Sequence, residues 1–239
     1  MKIKIMYISH NCFVLDLREF VIVFDYSDFV VNEEGDESIK NYLSNRDVIM
    51  LFSHAHRDHF SPSMVKFKDN ARSFKCVASA DILESYPSTR DICVLLKPHQ
   101  TVAFDGLEIK AYPSSDAGCA YLIKYKGAII YYGGDNADWR RSGMEEEVQR
   151  LILQVYRSSV EEIAAKVGEV DIAFADFCKV CHDFGGLSFL HEKLKPKLLV
   201  PMHFFGRIEL FKEALPFFVS LKANVFVYEH PGDILEVEI

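Results

Sequence analysis

Asp47-Val48-Ile49-Met50-Leu51-Phe52-Ser53-His54-Ala55-His56-Arg57-Asp58-His59-Phe60-Ser61-Pro62 is the stretch on which the fold turns. Its apolar run, bounded by charge, reads as a buried strand, and Ser61-Pro62 reads as an N-cap followed by proline at the first helical position. The residues between them form a strand-to-helix turn. Period-2 alternation at the strand end points His54 and His56 to the same side, and the turn brings Asp58 and His59 round from another direction. Imidazoles and a carboxylate are the ligand types that zinc, manganese and iron accept. Imidazoles this closely spaced would repel one another if protonated without a metal.

The rest of the composition bounds what such a turn can serve. With 239 residues, 49% hydrophobic and 13% aromatic, the chain can bury a sizeable core, and we read one domain over residues 1–239. A net charge of −8 argues against nucleic acid as a partner, because a broad basic footprint is missing. No leader pattern opens the sequence and no apolar run approaches a membrane span, so the expectation is a cytoplasmic protein with no membrane partner. Nothing in the sequence sets an oligomeric state. The six cysteines, Cys12, Cys76, Cys93, Cys119, Cys178 and Cys181, sit mostly in apolar strand-like runs. They are expected to be reduced and buried, without disulfides.

Outward from the turn, residues 2–8, 12–15 and 20–25 read as a meander of short strands. Residues 31–36 read as a polar loop and 38–43 as a short helix. Strands are expected at 75–78 and 92–97, and two hairpins at the Asp105-Gly106 and Lys126-Gly127 turns. A long helix follows, since Val148, Leu151, Ile152, Val155, Val160, Ile163 and Val167 share a face and Gly168 is a good stop. Then come a strand at 170–174, a helix at 187–194, a strand at 198–202, a helix at 208–221, and a closing hairpin of 225–228 with 234–239. This order predicts an α/β (α+β) protein: an αββα sandwich of two mixed β-sheets with helices on both outer faces.

Two further strand ends supply ligand-type side chains. Tyr131-Tyr132-Gly133-Gly134-Asp135 delivers a carboxylate after two glycines, where the backbone can turn sharply. Leu198-Leu199-Val200-Pro201-Met202-His203 ends an apolar run in an imidazole. Taken singly, Asp135 is as readily a turn aspartate and His203 a core or cap histidine; the joint pattern favours ligands.

With these residues in view, the sequence resembles the metallo-β-lactamase fold superfamily. The H-x-H-x-D-H motif at His54, His56, Asp58 and His59, the Gly-Asp at Asp135, the Pro-x-His at His203 and the order of elements carry the likeness over essentially the whole chain. The opening Ile8-Ser9-His10-Asn11-Cys12-Phe13 with Ile22-Val23-Phe24-Asp25 is similar to the branch that includes L-ascorbate 6-phosphate lactonase. The resemblance implies that His54 and His56 hold one metal, that Asp58, His59 and His203 hold a second, and that Asp135 bridges them. It also implies a further histidine ligand where this chain has Tyr112-Pro113-Ser114-Ser115-Asp116-Ala117-Gly118. Serine stands there, at Ser115, so either the first metal keeps two histidines and a carboxylate, with Asp116 as a replacement, or only one metal binds.

This ligand set implies one or two divalent ions, zinc first, with manganese or iron as alternatives. The expected function is a metallo-hydrolase that uses a metal-activated hydroxide on a small-molecule substrate: an anionic ester, lactone or phosphoester. Asp58 is the catalytic candidate, suited to orient that hydroxide. His10, His99 and His182 are spare histidines that could protonate a leaving group. Arg57, Arg140, Lys179 and Arg207 could bind substrate anions, though each also reads as solvated surface charge. Cys178-Lys179-Val180-Cys181-His182 matches a haem-attachment form, which the absence of an export signal argues against, while Cys181 or His182 could face the pocket. The alternative from another class is a non-catalytic metal-binding or regulatory protein that keeps the fold with a degraded first site.

Overall fold

The computed structural model describes residues 1–239, which form two compact units: residues 1–96 with 228–239, and residues 97–227. The first begins with the expected meander, β1 (Lys2–Ser9), β2 (Cys12–Asp16) and β3 (Phe20–Phe24), paired antiparallel. After α1 (Glu33–Leu43), the chain adds β4 (Asp47–Phe52), β5 (Ser73–Ser79), the short α2 (Ile82–Ser85) and β6 (Cys93–Leu96). Strands β3 to β6 run parallel. Every residue of β3 is buried; this continuous apolar strand is the centre of the sheet, antiparallel to β2 on one side and parallel to β4 on the other.

Three sequence expectations change in this unit. The helix of residues 38–43 starts earlier, at Glu33, because the Asn32 side chain accepts from the Gly35 amide and three acidic residues occupy its first turn; cap and helix dipole recruit residues that read as loop. The element after Ser61 is a 3₁₀ helix, Pro62–Asn70, with the Ser61 hydroxyl accepting from the Ser63 amide. The last strand of the chain, β13 (Ile234–Glu238), pairs antiparallel with β1 instead of closing a hairpin. Val225 forms only an isolated bridge to Leu199. The first sheet therefore has the order β13-β1-β2-β3-β4-β5-β6.

The second unit opens with β7 (Thr101–Phe104), β8 (Leu107–Pro113), β9 (Cys119–Tyr125) and β10 (Ala128–Tyr132), an antiparallel run. Both expected hairpin turns are present, with positive φ at Asp105-Gly106 and Lys126-Gly127, the conformation that hairpin twist demands. Beyond them lie α3 (Glu146–Val167), β11 (Ile172–Asp176), α4 (Asp183–Leu194), β12 (Leu198–Met202) and α5 (Ile208–Ser220). α3 buries Tyr156, Ser159, Val160 and Ile163 and stops at Gly168, whose φ is 73°. β11 and β12 join β10 in parallel, giving the order β12-β11-β10-β9-β8-β7. Two mixed sheets with helices make this the expected α/β class.

The cysteine expectation is overturned. Cys76 and Cys93 form a disulfide, as do Cys178 and Cys181, while Cys12 and Cys119 are buried thiols outside any disulfide. Cys76 and Cys93 are register partners on β5 and β6, a juxtaposition that depends on strand order and is invisible to local pattern. No helix is long and apolar enough to cross a membrane.

Candidate metal centre

In the first unit the parallel strands β3 and β4 deliver the polar residues that follow them side by side. Asp25, just past β3, takes a φ of 40° and donates its amide to Leu51 O at 3.0 Å. Its carboxylate is fully buried. Oδ1 accepts from the Ser53 amide at 2.7 Å, and Oδ2 accepts from Ser53 Oγ at 2.5 Å and lies 2.8 Å from His59 Nδ1. Ser53 Oγ, its proton committed to Asp25, is 2.8 Å from His54 Nδ1. This network puts a proton on Nδ1 of both His54 and His59 and leaves each Nε2 lone pair to serve as a ligand. One carboxylate thus sets two tautomers.

The turn His54–His59 is closed by the His59 and Phe60 amides, both donating to His56 O at 3.0 Å. His54 Nε2 and His56 Nδ1 face each other at 2.8 Å, close to the separation of about 3.3 Å for two nitrogens on one tetrahedral zinc. Ligand atoms of Asp25, His54 and His59 all lie within 4.8 Å of one another. With Asp25 engaged as the orienting group, the ring nitrogens of His54, His56 and His59 are the donor type that a divalent ion accepts. Asp58 Oδ2 lies 3.8 Å from His59 Nε2 and 3.3 Å from Nε2 of the fully buried His10. Burial pushes the Asp58 carboxyl up, but the His10 hydrogen bond and the neighbouring imidazole charges outweigh it and hold it below the usual aspartate range. Of the spare histidines, His10 therefore belongs to this cluster. The Arg57 guanidinium stacks 3.6 Å over the Phe29 ring.

In the second unit the Gly133-Gly134 turn after β10 delivers Asp135 as expected. Gly133 sits tight against β11, its amide donating to Phe174 O at 3.0 Å, and a Cβ there would lie 3.2 Å from that oxygen. His203, immediately after β12, has a φ of 72°. Its Nε2 is 3.6 Å from Asp135 Oδ2, and its ring centroid is 5.0 Å from that of Trp139. Trp139 Nε1 in turn donates to Asp135 O at 2.8 Å.

Ser115 is occupied otherwise than as a ligand. Its hydroxyl donates to Ala137 O at 2.6 Å and accepts from Ala137 N at 3.0 Å, while its amide donates to Asn136 Oδ1 at 3.1 Å. It latches the loop that carries Asp135. The neighbouring Asp116 has a carboxylate oxygen within 4.8 Å of one on Asp135.

Other expected residues have structural partners. Arg140 is gripped by Asp138 through two bonds of 2.7 Å, and the exposed His182 has Nδ1 3.5 Å from Asp138 Oδ2. Cys181 is no free thiol. His99, exposed, pairs with Glu162 at 3.5 Å. Asp25 is the residue of this cluster that the sequence does not single out, though a carboxylate directly after a buried strand is itself a signal. Asp138, three residues past Asp135, is the partner that takes up Arg140.

Residues 4–151 match the family model described as the beta-lactamase superfamily domain. A Pyrococcus furiosus protein named as a metal-dependent hydrolase is 23% identical over 98% of this chain and 100% of its own length. Among solved structures, the metallo hydrolase Igni18 from Ignicoccus hospitalis superposes with a TM-score of 0.69 at 18% identity, covering 100% of both chains. The diiron β-hydroxylase CmlA from Streptomyces venezuelae reaches 0.65 at 11% identity, over 98% of this chain and 54% of that one. At these identities the structural likenesses establish the fold, and the family match reaches the superfamily and no narrower branch. It runs from the first strand through the His54–His59 turn to the glycine turn at Asp135, and the chain belongs to the beta-lactamase superfamily.

Proposed function

We infer that this metal-dependent hydrolase acts on a small anionic ester, lactone or phosphoester. We further infer that His54, His56, Asp58, His59, Asp135 and His203 are its metal ligands, with zinc as the metal. The observation that carries this reading is the approach of His54 Nε2 to His56 Nδ1 at 2.8 Å, above a buried Asp25 that frees Nε2 of both His54 and His59 for coordination. Two imidazole nitrogens this close share a proton as the rings stand, and the same pair of nitrogens can share a cation in its place. The metal, when bound, supplies an acidified water and an electrophile for the developing negative charge. The chain's own residues do the rest. Asp25 and Ser53 engage Nδ1 of His59 and His54 and so fix how the two rings are aimed. Asp58, fixed by His10 at 3.3 Å, offers a carboxylate oxygen to orient the attacking water. Asp116 stands beside Asp135 as the further donor where histidine is absent.

The test is metal analysis of the full chain by mass spectrometry, followed by an ester, lactone and phosphoester panel with zinc, manganese and iron. We expect about one or two ions per chain, hydrolysis abolished by chelation and restored by zinc, and at least a hundredfold loss of turnover in Asp58→Ala. Protein that holds no metal under any of these conditions overturns the reading. Stoichiometric metal with no turnover on any substrate favours a regulatory metal-binding role.

A further inference from the structure

The second unit contains a cavity of about 340 Å³ whose wall includes His203, Trp139, Phe177, Phe204 and Phe205. This volume falls at the small end of ligand pockets, enough for one ring or a short chain with a polar group attached. The His203 ring has two aromatic neighbours, Trp139 at 5.0 Å and Phe205 at 5.0 Å by centroid. Phe205 and Val180, two of eleven large apolar side chains left exposed, at 42% and 71%, both line this cavity. Here they adjoin the aromatic wall of one pocket, the setting in which exposed apolar surface can meet a ligand.

Cations complete the rim. Arg141, Lys179 and Arg207 line the same cavity. Lys179 is neutralised by Glu213, but Arg141 and Arg207 have no carboxylate partner. In a chain of net charge −8, two unneutralised guanidiniums beside one aromatic pocket are a local reversal of sign that concentrates anions. The adjoining cavity of about 310 Å³ shares Arg141, yet its other guanidinium, Arg140, is already held by Asp138. The disulfide between Cys178 and Cys181 spans the segment that carries Lys179 and Val180 and braces this rim.

We propose that this cavity is the specificity pocket, and that the substrate carries an aryl or comparably flat apolar group bearing an oxyanion, seated on Trp139 and Phe205 with the anion on Arg141 and Arg207. This rests on the hydrolase reading above and narrows its substrate class. Trp139 is the only tryptophan of the chain, so occupancy of the pocket reads out directly as a change in intrinsic fluorescence, without turnover.

Full-length protein as purified is titrated with benzylphosphonate and phenylacetate, two aryl anions of different headgroup, and with benzyl alcohol and inorganic phosphate, each carrying one half of the recognition. At least one aryl anion is expected to bind saturably and at least tenfold more tightly than either half-probe, and the better headgroup separates phosphate-type from carboxylate-type substrates. Arg207→Gln and Arg141→Gln each weaken that binding roughly tenfold, the cost of one charge-assisted hydrogen bond. Phe205→Ala weakens it for both aryl anions and leaves phosphate unchanged. Aryl anions that bind no better than phosphate, or arginine variants that bind them as tightly as wild type, overturn the proposal. Metal content measured on the same samples keeps the two readings apart. Metal present without aryl-anion binding sinks only the pocket, and metal absent throughout sinks the hydrolase reading whatever the fluorescence shows.

Discussion

Asp25 Oδ2 lies 2.8 Å from His59 Nδ1 across a sequence separation of 34 residues. The same oxygen holds Ser53 Oγ, which in turn meets His54 Nδ1 at 2.8 Å. Replacing this carboxylate with its isosteric amide, Asp25→Asn, removes the acceptor that keeps both Nδ1 protons in place. Partners of this kind are worth about 10- to 100-fold in metal affinity. Competition against a chromogenic chelator should show that loss, with an unchanged far-ultraviolet circular dichroism spectrum; undiminished affinity would remove Asp25 from the positioning role.

Ser115 is expected to matter for stability, and through it for the Asp135 loop. In Ser115→Ala the buried Ala137 amide loses its acceptor, a cost of about 1–3 kcal/mol for an unsatisfied group. For a chain of this size that corresponds to a melting temperature lower by about 3–10 °C. Ser115→Thr keeps the hydroxyl and should melt near wild type. Calorimetry of the two variants distinguishes a latch from a bystander.

Asp16 gives the fold a pH dependence of definite sign. Burial pushes its carboxyl up, but the bonds from Arg46, from the Arg18 amide and from Tyr42 outweigh burial and lower it below its ordinary value. A depressed folded pKa means that the contribution is complete above the unfolded value of about 3.9 and is lost as pH falls through the folded pKa. Asp16→Asn should therefore be less stable at pH 7 by about 1–3 kcal/mol, and the gap should narrow on acidification toward pH 3. Urea midpoints across that range report it, and a gap that widens in acid contradicts the assignment.

The disulfides predict a simple thiol count. Unfolded without reductant, the chain should take up alkylating agent at two cysteines, Cys12 and Cys119, and after reduction at all six. Between Cys76 and Cys93, 17 residues apart, the cross-link is worth about 3 kcal/mol in the chain-entropy account. The Cys76→Ala/Cys93→Ala double variant should lose stability of that order by urea denaturation. Six reactive thiols before reduction would restore the reduced state that the sequence suggests.

Most features that depend on near neighbours were determined by the amino-acid order alone, the early start of α1 at its Asn32 cap being the exception. The apolar run at residues 47–52 and the histidine turn after it, the hairpins at Gly106 and Gly127, the sharp glycine entry to Asp135 and the stop at Gly168 all follow from side-chain period and backbone freedom within a few residues. What only the tertiary structure decided lies across long separations. Asp25 meets His59 because β3 and β4 are parallel neighbours. Cys76 meets Cys93 because β5 and β6 are in register, and β13 joins β1 instead of folding back on residue 225. Ser115, read as the gap left by a missing ligand, spends its hydroxyl on Ala137, and Arg140 spends its charge on Asp138. Periodicity says which face of a strand is apolar, but strand order and register are chosen by the packing of the whole chain. The central histidine turn could therefore be read from the sequence, while the carboxylate that aims two of its imidazoles could not.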